Sequence, residues 1–93
     1  MSFYLKDPHS RVDYAMDWAA GYMEGRVLAG SAWSVVPTEP GGVAVDAQSF
    51  DLTRAAATLV GGIPGHVYSV TNRVTFSDER SDDRSITLRV EGR

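Results

Sequence analysis

Four carboxylates crowd one short stretch of the chain: Asp78, Glu79, Asp82 and Asp83. A hard cation such as calcium wants several such oxygens. The spacing departs from the twelve-residue calcium loop, and Arg80 and Arg84 sit among the acids and offset their charge. The stretch is therefore expected to be a solvated turn. Asp13 and Asp17 are four residues apart. A carboxylate pair for glycosidic chemistry needs a cleft that drives the two proton affinities apart, and a short outer strand supplies none. His9 and His66 are the two histidines, and there is no cysteine, so zinc would need carboxylate help. Both are expected at the surface. No serine stands in a nucleophile-elbow context, and Gly25-x-x-x-x-Gly30 lacks the lysine of a phosphate loop. Gly41-Gly42 and Gly61-Gly62 are turn glycines, since neither pair opens a helix after a parallel strand. No catalytic residue, metal, cofactor or small-molecule substrate is expected.

The elements that would position any site are organised around residues 65–76. Tyr68, Val70, Val74 and Phe76 share one parity, against Ser69, Thr71, Arg73 and Thr75 on the other. Side chains of these types pack well on a pleated surface, and a period of two puts the apolar set on one face of a sheet. Asn72 interrupts the apolar parity, so that face is not uniformly dry. Twelve extended residues reach about 40 Å, enough to cross a small domain as a central strand. Residues 84–90 alternate as well, with Ile86, Leu88 and Val90 against Thr87 and Arg89. These two strands predict a long antiparallel hairpin whose turn, 77–83, exceeds two residues.

Other segments are less decisive. Val12, Tyr14, Met16 and Trp18 alternate as a half-buried strand, but Val12, Ala15, Met16, Ala19 and Met23 also make a helical stripe. The strand is preferred because the rest of the chain is strand-like. Residues 19–25 then connect, with Gly21 and Gly25 turning. Residues 26–36 carry Leu28 and Trp33 on opposite parities, and a bulge near Gly30-Ser31 would return both to the core. Pro37 to Gly42 is a turn, 43–46 a short strand, and 47–51 a loop that Phe50 anchors. Residues 52–60 hold three adjacent alanines, which favour helix, yet a nine-residue helix is marginal alone. The strand is preferred there too, with Thr53, Ala55, Ala57 and Leu59 facing one way.

The count is six or seven short strands, the pattern of a single all-β sandwich, expected to be antiparallel, over residues 12–93. Its expected core is Tyr14, Trp18, Leu28, Trp33, Val70, Val74, Phe76, Ile86, Leu88 and Val90. Residues 1–11 are expected as an N-terminal arm, with Pro8 ending its extended part. Phe3, Tyr4 and Leu5 either fold back as an edge strand or wait for a partner to order them, which makes them the candidate partner-binding residues. Ninety-three residues form one domain, which buries a core without much margin. A formal charge of -3 with scattered arginines speaks against nucleic acid. The apolar runs are too short to span a membrane, and charge at Lys6 and Asp7 arrives too early for a signal peptide.

Gly65-x-x-Tyr68-x-Val70 resembles the start of a strand in immunoglobulin-like and fibronectin-III-like sandwiches, where a tyrosine hydroxyl bonds back to backbone and fastens the corner between sheets. A wider resemblance joins it. Lys6-Asp7-Pro8, Asp13-Tyr14-x-x-Asp17-Trp18, Trp33-Ser34-Val35, Gly61-Gly62, Tyr68-x-Val70-Thr71-Asn72 and Asp83-Arg84-Ser85-Ile86-Thr87-Leu88-Arg89-Val90 together resemble a family of small structural proteins of tailed bacteriophages and prophages, described as fibre–tail adaptor-like. The resemblance implies an immunoglobulin-like sandwich, no catalytic role, and protein–protein contacts with other phage structural proteins, including further copies of itself in a ring. It implies a virion component made in the host bacterial cytoplasm, at the neck, tail or fibre attachment. One departure is Asp78-Glu79-Arg80, where the resemblance calls for a glycine-arginine pair. A carbohydrate- or host-surface-binding module is the competing function, with Trp18, Trp33, Tyr22 and Tyr14 as its stacking faces.

Overall fold

The computed structural model describes residues 2–19 and 25–91. Seven strands follow in chain order: β1 (Ser2–Lys6), β2 (Val12–Asp17), β3 (Leu28–Val36), β4 (Ala44–Phe50), β5 (Arg54–Val60), β6 (Val67–Phe76) and β7 (Ser81–Val90). They form a four-stranded sheet, β1-β7-β6-β3, and a three-stranded sheet, β2-β5-β4. The two sheets pack face to face as an all-β sandwich. The strand between Val67 and Phe76 is indeed internal, flanked by β3 and β7.

The core is the set of inward parities. Tyr68, Val70, Val74 and Phe76 of β6 meet Ile86, Leu88 and Val90 of β7, and Ala55, Ala57 and Leu59 of β5 face them from the other sheet. The alanines are small, which leaves room for Trp18 and Trp33 between the layers. Trp18 meets Phe76 edge-on, with ring centroids 6.1 Å apart. Tyr14 is half-buried and packs at the margin of this cluster. Residues 12–17 and 54–60 are strands, so pairing with each other overrides the helical propensity of their alanines.

Four expectations need correction. The sandwich is not wholly antiparallel, because β1 runs parallel to β7, with Tyr4 opposite Leu88. Residues 47–50 are strand and not loop. They continue β4 past a bulge between Val45 and Ala47, because β5 supplies the backbone partners that their composition does not advertise. Phe50, expected to anchor that loop, instead ends β4 opposite Ala55 and stays 45% exposed. The last hairpin turns sooner than expected, since Ser81 already pairs with Thr75 and puts Asp82 and Asp83 in β7. Residues 77–79 make the turn, with Glu79 N donating to Phe76 O at 2.9 Å and Phe76 N to Arg80 O at 2.7 Å. Glu79 takes a left-handed φ of 71°, the geometry of a three-residue hairpin loop ending in a bulge. The expected slip in β3 falls between Leu28 and Gly30. Gly21 and Tyr22 lie outside the described residues.

Candidate contact surfaces

The N-terminal residues Phe3, Tyr4 and Leu5 lie in β1, at the open edge of the four-stranded sheet. Their alternation divides them. Tyr4 leans toward the facing sheet and meets Tyr14 edge-on at 5.3 Å between centroids, yet stays 42% exposed. Phe3 and Leu5 turn outward and are 59% and 62% exposed. Among the described residues, β7 pairs one side of the β1 backbone and no strand pairs the other. An edge of this kind presents unpaired amides and carbonyls beside apolar side chains.

Lys6 fixes the end of that strand. It shares the inward parity of Tyr4 and is buried. Its Nζ donates to the carbonyl oxygens of Asp7 at 3.0 Å, Ser10 at 2.7 Å and Gly61 at 2.7 Å. An ammonium has three protons to give, and all three are bonded. Burial pushes its pKa down, against the pull of the Asp7 carboxylate. Gly61 has a φ of 76°, and a Cβ there would stand 2.6 Å from the Gly42 carbonyl oxygen, so the clasp depends on glycine at that position. In the sequence Lys6 stands out as an early charge and as the first residue of the Lys6-Asp7-Pro8 motif, not as a buried residue. Its parity with Tyr4 was the available signal that it points inward.

Tyr68 opens β6 fully buried, one sheet position from the β5–β6 connection. Its hydroxyl accepts from Ile63 N at 3.2 Å and donates to Glu39 Oε1 at 2.6 Å. Burial and the Glu39 bond raise its pKa. His66 Nδ1 reaches the same Glu39 oxygen at 2.9 Å. The bonds from Tyr68 and then His66 hold the Glu39 carboxyl below its ordinary value. This cluster ties the Pro37–Gly42 turn to the β5–β6 connection. Glu39 had no sequence signal, because its partner is 29 residues away.

A second polar node lies inside the sandwich. Asn72 is fully buried; its Oδ1 accepts from Trp18 Nε1 at 2.9 Å, and its Nδ2 donates to Ser31 Oγ at 2.9 Å and to Ala32 O at 3.3 Å. It joins β6 to β3 and to the residue that leaves β2.

The residues considered for chemistry are not brought together. Asp78 Oδ1 accepts from Arg80 N at 3.1 Å within the turn, and Asp82 Oδ1 from Asp83 N at 2.8 Å within the strand. Asp13 and Asp17 lie on the outer face of β2, where Asp13 Oδ1 accepts from Thr58 Oγ1 at 2.6 Å and Asp17 pairs in register with Arg54. His9 caps the Asp7–Ser10 turn, its amide donating to Asp7 Oδ1 at 2.7 Å, far along the chain from His66. Among the described residues no group of three or more histidines and carboxylates could hold a metal ion. No described helix is long and apolar enough to cross a membrane. Trp18 and Trp33 are 0% and 7% exposed, so neither indole offers a face for stacking on a sugar.

The arrangement is thus a tight core with, at β1, an open strand edge flanked by the apolar side chains of Phe3 and Leu5. No curated protein matches the chain. A family profile described as podophage GP4 fiber-tail adaptor protein gp77 matches residues 6–89, nearly the whole chain. By that match the chain is a phage structural adaptor module that works through protein–protein contacts. It belongs to the Gp77 family of podophage fiber-tail adaptor proteins.

Proposed function

We propose that this chain is an immunoglobulin-like adaptor of the virion, made in the host bacterial cytoplasm, whose β1 edge binds another phage structural protein. Three features support the immunoglobulin-like reading. Strands β7-β6-β3 face β2-β5-β4, the relative order of the G-F-C and B-E-D strands in that fold. Trp33 stands buried on the third strand, and Tyr68 near the start of the sixth bonds back to Ile63 N. The parallel β1–β7 pairing places the first strand on the last, in the sheet opposite β2.

The exposure of Phe3 and Leu5 on an open edge carries the contact reading. A lone protein gains nothing from apolar side chains beside unpaired backbone groups, whereas a partner strand satisfies both at once. A further copy of the chain is one such partner if adaptors stand in a ring. Mass spectrometry of purified virions tests the assignment. The chain is expected in the particle, and Phe3→Ser with Leu5→Ser is expected to lower its incorporation while the melting midpoint stays near the parent's. Light scattering on the isolated protein separates self-association from capture by a different protein. Equal incorporation of parent and double variant would defeat the role of β1.

A further inference from the structure

The outward side chains of the four-stranded sheet line up in rows across its strands. Phe3 lies beside Thr87, Thr87 beside Ser69, and Ser69 beside Val36, while Leu5, Arg89 and Val67 make the adjoining row. Phe3, Leu5, Val36 and Val67 are between 49% and 64% exposed, so one end of this face carries a continuous apolar patch. The cation in that patch is already balanced, since Arg89 Nε reaches Glu91 Oε1 at 2.8 Å. Further along the face Ser85 pairs with Thr71, and their hydroxyls share a hydrogen bond of 2.7 Å. Beyond them Asp83 of β7 stands in register with Arg73 of β6, both exposed. Among the described residues neither of these two side chains closes an ion pair.

Strands β7 and β6 are central in this sheet, and β1 and β3 flank them. Consider a second copy turned half a rotation about an axis that runs along the strands, midway between β6 and β7. Each β6 then lies on the other copy's β7, and each β1 on the other copy's β3. Phe3 of each copy meets Val36 of the other, and Arg73 of each meets Asp83 of the other. A face with opposite charges on either side of its midline is in this way complementary to itself. The half-turn also preserves the hand of the sheet twist, so the two faces follow one another at the roughly 10 Å spacing of stacked sheets. The bonded Thr71 and Ser85 hydroxyls limit the cost of covering the middle of the face. Strands about 4.8 Å apart over the ten residues of β6 give a contact that buries on the order of 1,000 Å² in both copies together. That is the low end for a specific interface and suits a dimer that forms at micromolar concentrations.

We propose that the outer face of the four-stranded sheet is a two-fold contact between two copies of this chain, with Arg73 of each copy paired to Asp83 of the other. The contact uses the side chains of the face and leaves the backbone edge of β1 free, so it goes beyond the adaptor reading and does not rest on it. Sedimentation velocity on the full chain and on two charge reversals tests it. The parent is expected to dimerise at micromolar concentrations. Arg73→Glu and, separately, Asp83→Arg replace exposed side chains and are expected to melt near the parent. Each puts two like-charged pairs into the contact and is expected to associate on the order of a hundredfold more weakly. An equimolar mixture of the two variants is expected to recover the dimer, because both pairs across the contact regain opposite charges. Pairing within one chain cannot produce that recovery. A parent that stays monomeric, or a mixture that stays monomeric, would overturn the proposal. Single variants that dimerise like the parent would overturn it as well, and would place self-association elsewhere, such as the β1 edge. Absence of the chain from virions would defeat the adaptor reading and leave this contact standing.

Discussion

At the scale of single residues, two buried polar groups decide more than their surroundings suggest. Asn72 satisfies Trp18 Nε1 inside an apolar layer, so Asn72→Leu leaves a buried donor without its acceptor. Urea denaturation is expected to show a loss of about 1–3 kcal/mol, the cost of an unsatisfied buried group. Tyr68→Phe removes the acceptor for Ile63 N and the donor to Glu39, with an expected loss of roughly 1–2 kcal/mol. The same substitution has a pH signature. Glu39 and Asp51 have carboxyl pKa values below their ordinary 4.5 and 3.8, through the Tyr68 hydroxyl in one case and the Thr53 amide in the other. Between the depressed and the ordinary values the unfolded chain binds more protons, so their stabilisation is complete above about pH 4.5 and is lost as the pH falls through the folded values. Melting midpoints measured from pH 6 to pH 3 are expected to fall at the acid end, and less steeply for Tyr68→Phe. Glu79 holds a left-handed φ of 71°, within the Asp78-Glu79-Arg80 stretch where the resemblance implies a glycine-arginine pair. Glu79→Gly is expected to raise stability by about 0.5–1 kcal/mol, because glycine escapes the Cβ clash but costs more chain entropy. A lower denaturation midpoint would show that the Glu79 side chain contributes something the backbone geometry does not reveal.

At the scale of elements, β1 is both part of the fold and an exposed edge. Its inward side contributes the Tyr4–Tyr14 contact and the threefold bonding of Lys6, while its outward side contributes nothing to the core. Deleting residues 1–6 is therefore expected to lower the thermal midpoint by several degrees, the shift that roughly 1 kcal/mol produces in a domain of this size. Calorimetry of the deletion beside Phe3→Ser with Leu5→Ser separates the two sides of the strand. An unchanged midpoint on deletion would mean that β1 stands free of the sandwich in solution. β6 and residues 84–90 of β7 were legible in the sequence because their parity matches their burial, whereas Ser81, Asp82 and Asp83 join β7 only by pairing with β6. β4 was not, since Ala47, Gln48 and Ser49 have no apolar rhythm and become strand only by pairing with β5.

At the scale of the whole molecule, function follows from what the sandwich leaves uncovered. Its interior is filled by one continuous cluster, and β1 leaves a strand edge with the apolar side chains Phe3 and Leu5 uncovered. The all-β class and the core positions of β6 and β7 were readable from residue types alone, because a period of two is a local property. The tertiary structure alone decided which way β1 pairs, that Glu39 reaches Tyr68 and that Lys6 is buried. Each of these depends on segments distant in the chain meeting in a particular register, and the alternation within a strand carries no information about which strand lies beside it.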